Sequence, residues 1–139
     1  MLVQNPEKID ITAVSCYITH KGKYLLLHRT KDDFWGSIAG SVEPHDKNLQ
    51  AAIEREIFEE LGLKIRPRFF KTVHHSINGK IIAYNMFEYD FKDDPSNAIK
   101  LNNENRTFGF FTLEEALELN LYEDEDYCLA LHRKVRGQD

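Results

Sequence analysis

The apolar positions along the chain change period several times, and each change marks an element. Residues 9–18 are rich in β-branched and apolar side chains, and residues 24–28 form a second short apolar run. His20-Lys21-Gly22-Lys23 between them reads as a turn, so the pair is expected to form a hairpin. After a glycine-containing loop the spacing lengthens. Ile53, Ile57 and Leu61 recur every four residues, which predicts a helix over 49–61 closed by Gly62 as its C-cap. Residues 68–77 and 80–91 return to strand character around Asn78-Gly79, a strong two-residue hairpin signal. A further strand is expected over 106–111. Thr112-Leu113-Glu114-Glu115 then forms a capping box that opens a short helix, and residues 123–135 read as a closing amphipathic helix. Strands interrupted by helices imply a layered α/β domain, though the order alone does not give the topology.

With 139 residues, 42% of them hydrophobic, the chain suits one domain over 1–139 with a sizeable core, and no linker or low-complexity stretch suggests a second. A formal charge of −5 argues against broad nucleic-acid binding, which rests on concentrated basic surface. Cys16 and Cys128 lack any metal-binding spacing, and the amino-terminal residues lack the basic flank and apolar run of a signal peptide. No apolar segment approaches about 18 residues. The expected setting is a reducing cytoplasm without membrane contact.

The 49–61 helix carries the chemistry. At about 100° per residue it gathers Glu56, Glu59 and Glu60 on one face beside the apolar stripe. Like charges that close destabilise a helix by a few tenths of a kcal/mol per pair, so a hard cation between them is the physical rationale, magnesium first. Taken alone, an E-x-x-E-E is more often a solvated helix face.

The surrounding residues reverse that preference. Gly40 to Leu63 reads GSVEPHDKNLQAAIEREIFEELGL. It resembles the Nudix box, G-x5-E-x7-R-E-U-x-E-E-x-G-U with U aliphatic, which marks hydrolases of nucleoside diphosphates linked to a further group. Arg55 to Leu63 match without a fault. Asp46 stands where the family usually has glutamate, and one extra residue separates it from Arg55, most simply placed in the turn before the helix. The resemblance implies a Nudix-type α/β/α sandwich with a mixed central sheet. It also implies metal ligation by Glu56 and Glu60, a sharing or bridging role for Glu59, and the backbone carbonyl of Ala39 as a further ligand. Magnesium is the expected ion, with manganese as the alternative.

Other residues are candidates with ordinary alternatives. Arg55 is expected to pair with Glu56 or Glu59 and hold it in the ligating rotamer; the plain alternative is an exposed i,i+4 pair. Glu104 resembles an acidic position placed across the site as base or extra ligand, and Glu59 is the other candidate base. Arg29, ending LLLHR, could face substrate phosphates, and Gly40 belongs to the loop that meets them. Trp35, with Phe34, could stack on a base, although core packing is the preferred reading. His28, His74 and His75 read as ordinary strand histidines, the last two with the option of lining the substrate cleft.

FWGSIAGSVEP is similar to the entry segment of dihydroneopterin triphosphate and deoxynucleoside triphosphate pyrophosphohydrolases. The leading expectation is therefore cleavage of a nucleoside or pterin triphosphate to monophosphate and pyrophosphate, with a small diphosphate-containing molecule as partner. Hydrolysis of a dinucleoside polyphosphate or nucleotide sugar is the nearest alternative. A noncatalytic nucleotide-binding domain is a further one, and its support is the shifted Asp46, which could distort the loop and misplace Ala39. An isomerase of allylic diphosphates lacks its expected additional motifs. A homodimer is open, through residues 108–111 or 9–18.

Overall fold

The computed structural model describes residues 1–137. Eight strands share one sheet: β1 (Leu2–Val3), β2 (Ile11–His20), β3 (Lys23–Arg29), β4 (Trp35–Gly36), β5 (Ile38–Ser41), β6 (Arg68–Ile77), β7 (Lys80–Phe91) and β8 (Asn105–Phe111). Three α-helices accompany them, α1 (Leu49–Leu61), α2 (Leu113–Ala116) and α3 (Glu125–Arg136), with a short 3-10 turn over Ser96–Ala98. The main path runs β1-β6-β7-β2-β3-β4, with β5 on β2 and β8 on β3. β2 and β7 pair in parallel at the centre and the other ladders are antiparallel, which makes the sheet mixed, as expected.

Alternate residues of the central strands face two separate cores. Val14, Cys16, Ile18, Leu25 and Leu27 pack against Ile53, Ile57 and Leu61 of α1. Tyr17, Tyr24 and Leu26 turn the other way, onto Leu113, Ala116, Cys128 and Leu129 of α2 and α3. Burial on both faces explains why these strands read as continuous apolar runs rather than as a clean alternation. Ile53, Ile57 and Leu61 are wholly buried, each contributing roughly 1.5–3 kcal/mol. Phe108 and Phe110 pack on the first core and Phe111 on the second, so the 108–111 run serves the interior.

Turn chemistry explains the boundaries. Asn78 and Gly79 have φ of 51° and 79°, and Lys21 and Gly22 have 49° and 76°; both pairs make the left-handed turns that suit a twisted hairpin. Gly62 caps α1 at φ 70°, its N–H donating to Phe58 O, and Asn48 accepts from Ala51 N at the other end. The Thr112–Glu115 capping box is present.

The first hairpin needs correction. β2 and β3 pair only beside their turn, Thr19 with Tyr24 and His20 with Lys23. Beyond it they diverge, and β5 takes up residues 13–16 of β2 while β8 takes up residues 24–29 of β3. The segment expected as a loop before α1 thus contains a four-residue strand. That strand carries Ala39 and Gly40 alongside the helix.

Candidate functional site

Arg55 is the hub of the acidic face. Its Nε and Nη2 donate to Asp46 Oδ1 and Oδ2, both at 2.9 Å, and Nη1 donates to Glu56 Oε1 at 3.0 Å and Glu59 Oε1 at 3.2 Å. Nη2 also reaches Ser41 O at 3.2 Å, and Glu43 pairs with Nη1 at 3.0 Å. The expected Glu56 and Glu59 contacts are present together, but the bidentate grip is on Asp46. These hydrogen bonds from Arg55 push Asp46 down to about 2. Asp46 also accepts from Glu43 N at 2.8 Å, so its turn closes on itself. The shorter side chain and the extra residue therefore still bring a carboxylate to Arg55. β5 is in regular register with β2, Ala39 opposite Ser15 and Gly40 opposite Val14, which leaves no sign of the feared loop distortion.

Glu56 and Glu60 stand one turn apart on α1, and both are buried. Burial pushes both carboxyls upward, and each is further affected by the other's proximity. Asn105 Nδ2 donates to Glu60 Oε1 at 3.1 Å, whereas Glu60 Oε2 is buried with no partner among the described residues. Gly40 makes room for this pair: a Cβ there would overlap the Glu56 carboxylate, even its farther oxygen lying only 2.6 Å away.

A cleft of about 580 Å³ opens beside Glu60, lined among others by Arg29, Ala39, Gly40, Glu60, Glu104 and Asn105, while Glu56 does not line it. A register shift between β3 and β8 falls at His28/Arg29 and sets Arg29 opposite Asn105. Bulges of this kind re-aim side chains beside functional clefts. Arg29 stacks on Tyr122, 4.4 Å from the ring centroid, and pairs with Asp32 at 2.9 Å. A smaller recess of about 70 Å³ adjoins the cleft, sharing Arg29, Ala39, Tyr84 and Tyr122 and adding Ser15 and Tyr17. At its wall the Glu125 carboxylate accepts from Ser37 N (2.7 Å), Ser37 Oγ (2.8 Å) and Tyr17 OH (3.3 Å).

Not every candidate converges. Glu59 is half exposed and held outward by Arg55. Trp35 lines neither space; it stacks on His28 with centroids 4.7 Å apart and meets Phe111 edge-on. His75 lines the recess and bonds Asp124 at 2.8 Å. Asn105, Tyr84, Tyr122 and Glu125 were not anticipated, and nothing in their local pattern distinguishes them from ordinary strand and loop residues.

The donor set fits a hard divalent cation. Every nearby candidate ligand is an oxygen, one buried carboxylate oxygen is orphaned, and a glycine keeps the space open. Among the described residues no three acidic, imidazole or thiol groups close into a finished cage, and Glu59 is turned onto Arg55.

The NUDIX domain family model matches residues 10–132. The chain belongs to the Nudix hydrolase family. Members of this family generally use divalent metal ions. Among curated Nudix relatives, the phosphatase NudJ of Escherichia coli K12 is 33% identical over 66 residues, 46% of this chain and 42% of that protein, so the match spans less than half of the relative. The MutT protein of Methanosarcina mazei Go1 has the same fold, with a TM-score of 0.74, 25% identity and coverage of 94% of this chain and 98% of that one. The E. coli dihydroneopterin triphosphate pyrophosphohydrolase shares the Nudix fold at a TM-score of 0.72 and 19% identity, over 88% and 95% of the two chains.

Proposed function

We propose that this Nudix domain is a magnesium-dependent pyrophosphohydrolase that cleaves a nucleoside or pterin triphosphate to its monophosphate and pyrophosphate. The observation that carries the reading is the orphaned, buried Glu60 Oε2 beside Glu56 in the space that Gly40 leaves open. Glu56, Glu60 and the Ala39 carbonyl would hold the ion, joined by Glu59 once it leaves Arg55. A bound divalent ion supplies charge neutralisation on the phosphoryl oxygens and a template for an in-line water.

The protein's own groups account for the rest. Arg55 holds Glu56 at a fixed position, and Asn105 orients Glu60. Arg29, at the junction of cleft and recess, is suited to bind the phosphate chain. Glu104 lines the cleft and Glu59 does not, which supports Glu104 as the base that accepts the proton of the attacking water. The water oxygen bonds to one of the phosphorus atoms flanking the scissile bridge, that bridge breaks, and its oxygen leaves with the other fragment. Tyr84 and Tyr122 offer aromatic surface and hydroxyls to the organic end of the substrate. The local likeness of FWGSIAGSVEP to pterin and deoxynucleoside triphosphate hydrolases supports the triphosphate class. The undistorted β5 and the closed Asp46 turn argue against a noncatalytic domain.

The test is a product assay with magnesium over nucleoside triphosphates, dihydroneopterin triphosphate, dinucleoside polyphosphates and nucleotide sugars. Pyrophosphate from a triphosphate, lost in Glu60→Gln, is expected. Turnover confined to dinucleoside polyphosphates or nucleotide sugars would replace the substrate assignment, and silence across the panel would overturn the catalytic one.

A further inference from the structure

A second cleft, of about 630 Å³, lies at the opposite end of β2 and β7. Its lining on β7 includes Glu88, four residues and about 13 Å beyond Tyr84 of the recess. Four arginines border it: Arg66 and Arg68 from the entry to β6, Arg133 and Arg136 from the last turn of α3. The chain as a whole is acidic, so this concentration runs against its background.

Glu88 forms the floor. Its carboxylate accepts from Arg68 Nε at 2.9 Å, from Arg136 Nε at 2.8 Å and from His132 Nε2 at 2.8 Å, and it also pairs with Arg136 Nη2. Because a carboxylate only accepts, His132 donates to it. Burial lowers the pKa of the imidazole, and in its neutral form Nδ1 accepts from Tyr24 OH at 2.8 Å. The buried Glu88–His132 pair therefore anchors Arg136 through two nitrogens and tethers the exposed Arg68 at Nε.

Donors remain. Among the described residues Arg66 makes no hydrogen bond or ion pair, Arg68 commits only Nε, and Arg133 commits Nη1 to Glu114 at 2.7 Å. Basic residues in the last turn of a helix favour its dipole, which accounts for Arg133 and Arg136 in part. It does not account for Arg66 and Arg68, which come from the sheet side. A concave site of this volume with several guanidinium forks suits a compact ligand rich in acceptor oxygens.

We propose that this arginine cleft is a second binding site, for a phosphorylated small molecule, separate from the acidic cleft. It rests on the fold alone and not on the proposed reaction. The test is calorimetric titration of inorganic pyrophosphate into the full chain in 0.15 M salt with EDTA, which removes the divalent ion that would draw the same anion to the acidic cleft. Binding is expected in the unaltered protein and in Glu60→Gln, and at least tenfold weaker binding in Arg66→Ser/Arg68→Ser. If the double variant does not fold, Arg66→Ser alone is read, since Arg66 holds nothing in place, and at least threefold weakening is expected. No heat up to about 10 mM pyrophosphate, or undiminished affinity in the arginine variants, overturns the site. Citrate binding as tightly as pyrophosphate overturns the phosphate assignment, and a single-stranded oligonucleotide binding more tightly overturns the small-molecule one.

Discussion

In Gly40→Ala the added methyl group lands on the carboxylate of Glu56. The backbone at Gly40 lies outside the left-handed region, so an alanine is not strained there. The farther carboxylate oxygen would sit 2.6 Å from the new Cβ and must retreat to about 3.4 Å, a shift of roughly 0.8 Å, with the nearer atoms moving further. The flexible end of a glutamate makes that shift cheap for folding. Fewer unfolded conformations for alanine offset it by about 0.4–1 kcal/mol. The chemistry has no such latitude, because a 1 Å misplacement of a reacting group costs about 100-fold, or about 2.7 kcal/mol in the barrier. The prediction is a Tm within a few degrees of the unaltered protein together with a roughly 100-fold loss of magnesium-dependent kcat/KM. Differential scanning calorimetry and a pyrophosphate-release assay on the same preparation measure both. Turnover within threefold of normal in a stably folded variant would refute the role given to Glu56 and to the gap beside it.

Arg55→Lys retains a charge but not the fork that spans Asp46, Glu56 and Glu59, so kcat/KM is expected to fall at least tenfold; near-normal turnover would reduce Arg55 to a surface ion pair. Glu104→Gln should slow the chemical step by 10²–10⁴, measured in single turnover, and a loss below tenfold would return the base role to Glu59. Asp46 has a depressed pKa, so its stabilising contribution is complete above the unfolded value of 3.8 and is lost as pH falls toward about 2. Urea midpoints of the unaltered protein should therefore drop more steeply between pH 4 and pH 2 than those of Asp46→Asn, and parallel curves would contradict the pairing with Arg55.

The legible parts of this molecule are those whose signal is local. Ile53, Ile57, Leu61 and Gly62 mark α1 because a helix face and a left-handed cap leave traces within a few residues. Asn78-Gly79 does the same for β6 and β7. β5 leaves none: Gly40 and Ser41 carry little strand preference, and the segment is a strand only because β2 offers it an edge when β3 diverges. The carboxylates of the site could be read from helical periodicity, but Asp46 appeared as a departure until its contact with Arg55 explained it. Asn105 and Tyr84 reach the cleft through sheet register and a bulge, and Tyr122 through its N–H on Trp35 O, pairings that span about 70 to 90 residues of chain. Trp35 shows the opposite limit, since its aromatic face suits a ligand as well as the preferred core, and only Phe111 and His28 against it decide for the core.

The most direct test of the central claim is manganese uptake followed by electron paramagnetic resonance, comparing the unaltered protein with Glu60→Gln. The account predicts a site in the unaltered protein and at least tenfold weaker affinity in the variant, because the substitution removes the charge of the carboxylate that carries the orphaned oxygen. Equal manganese affinity in the two proteins would contradict it.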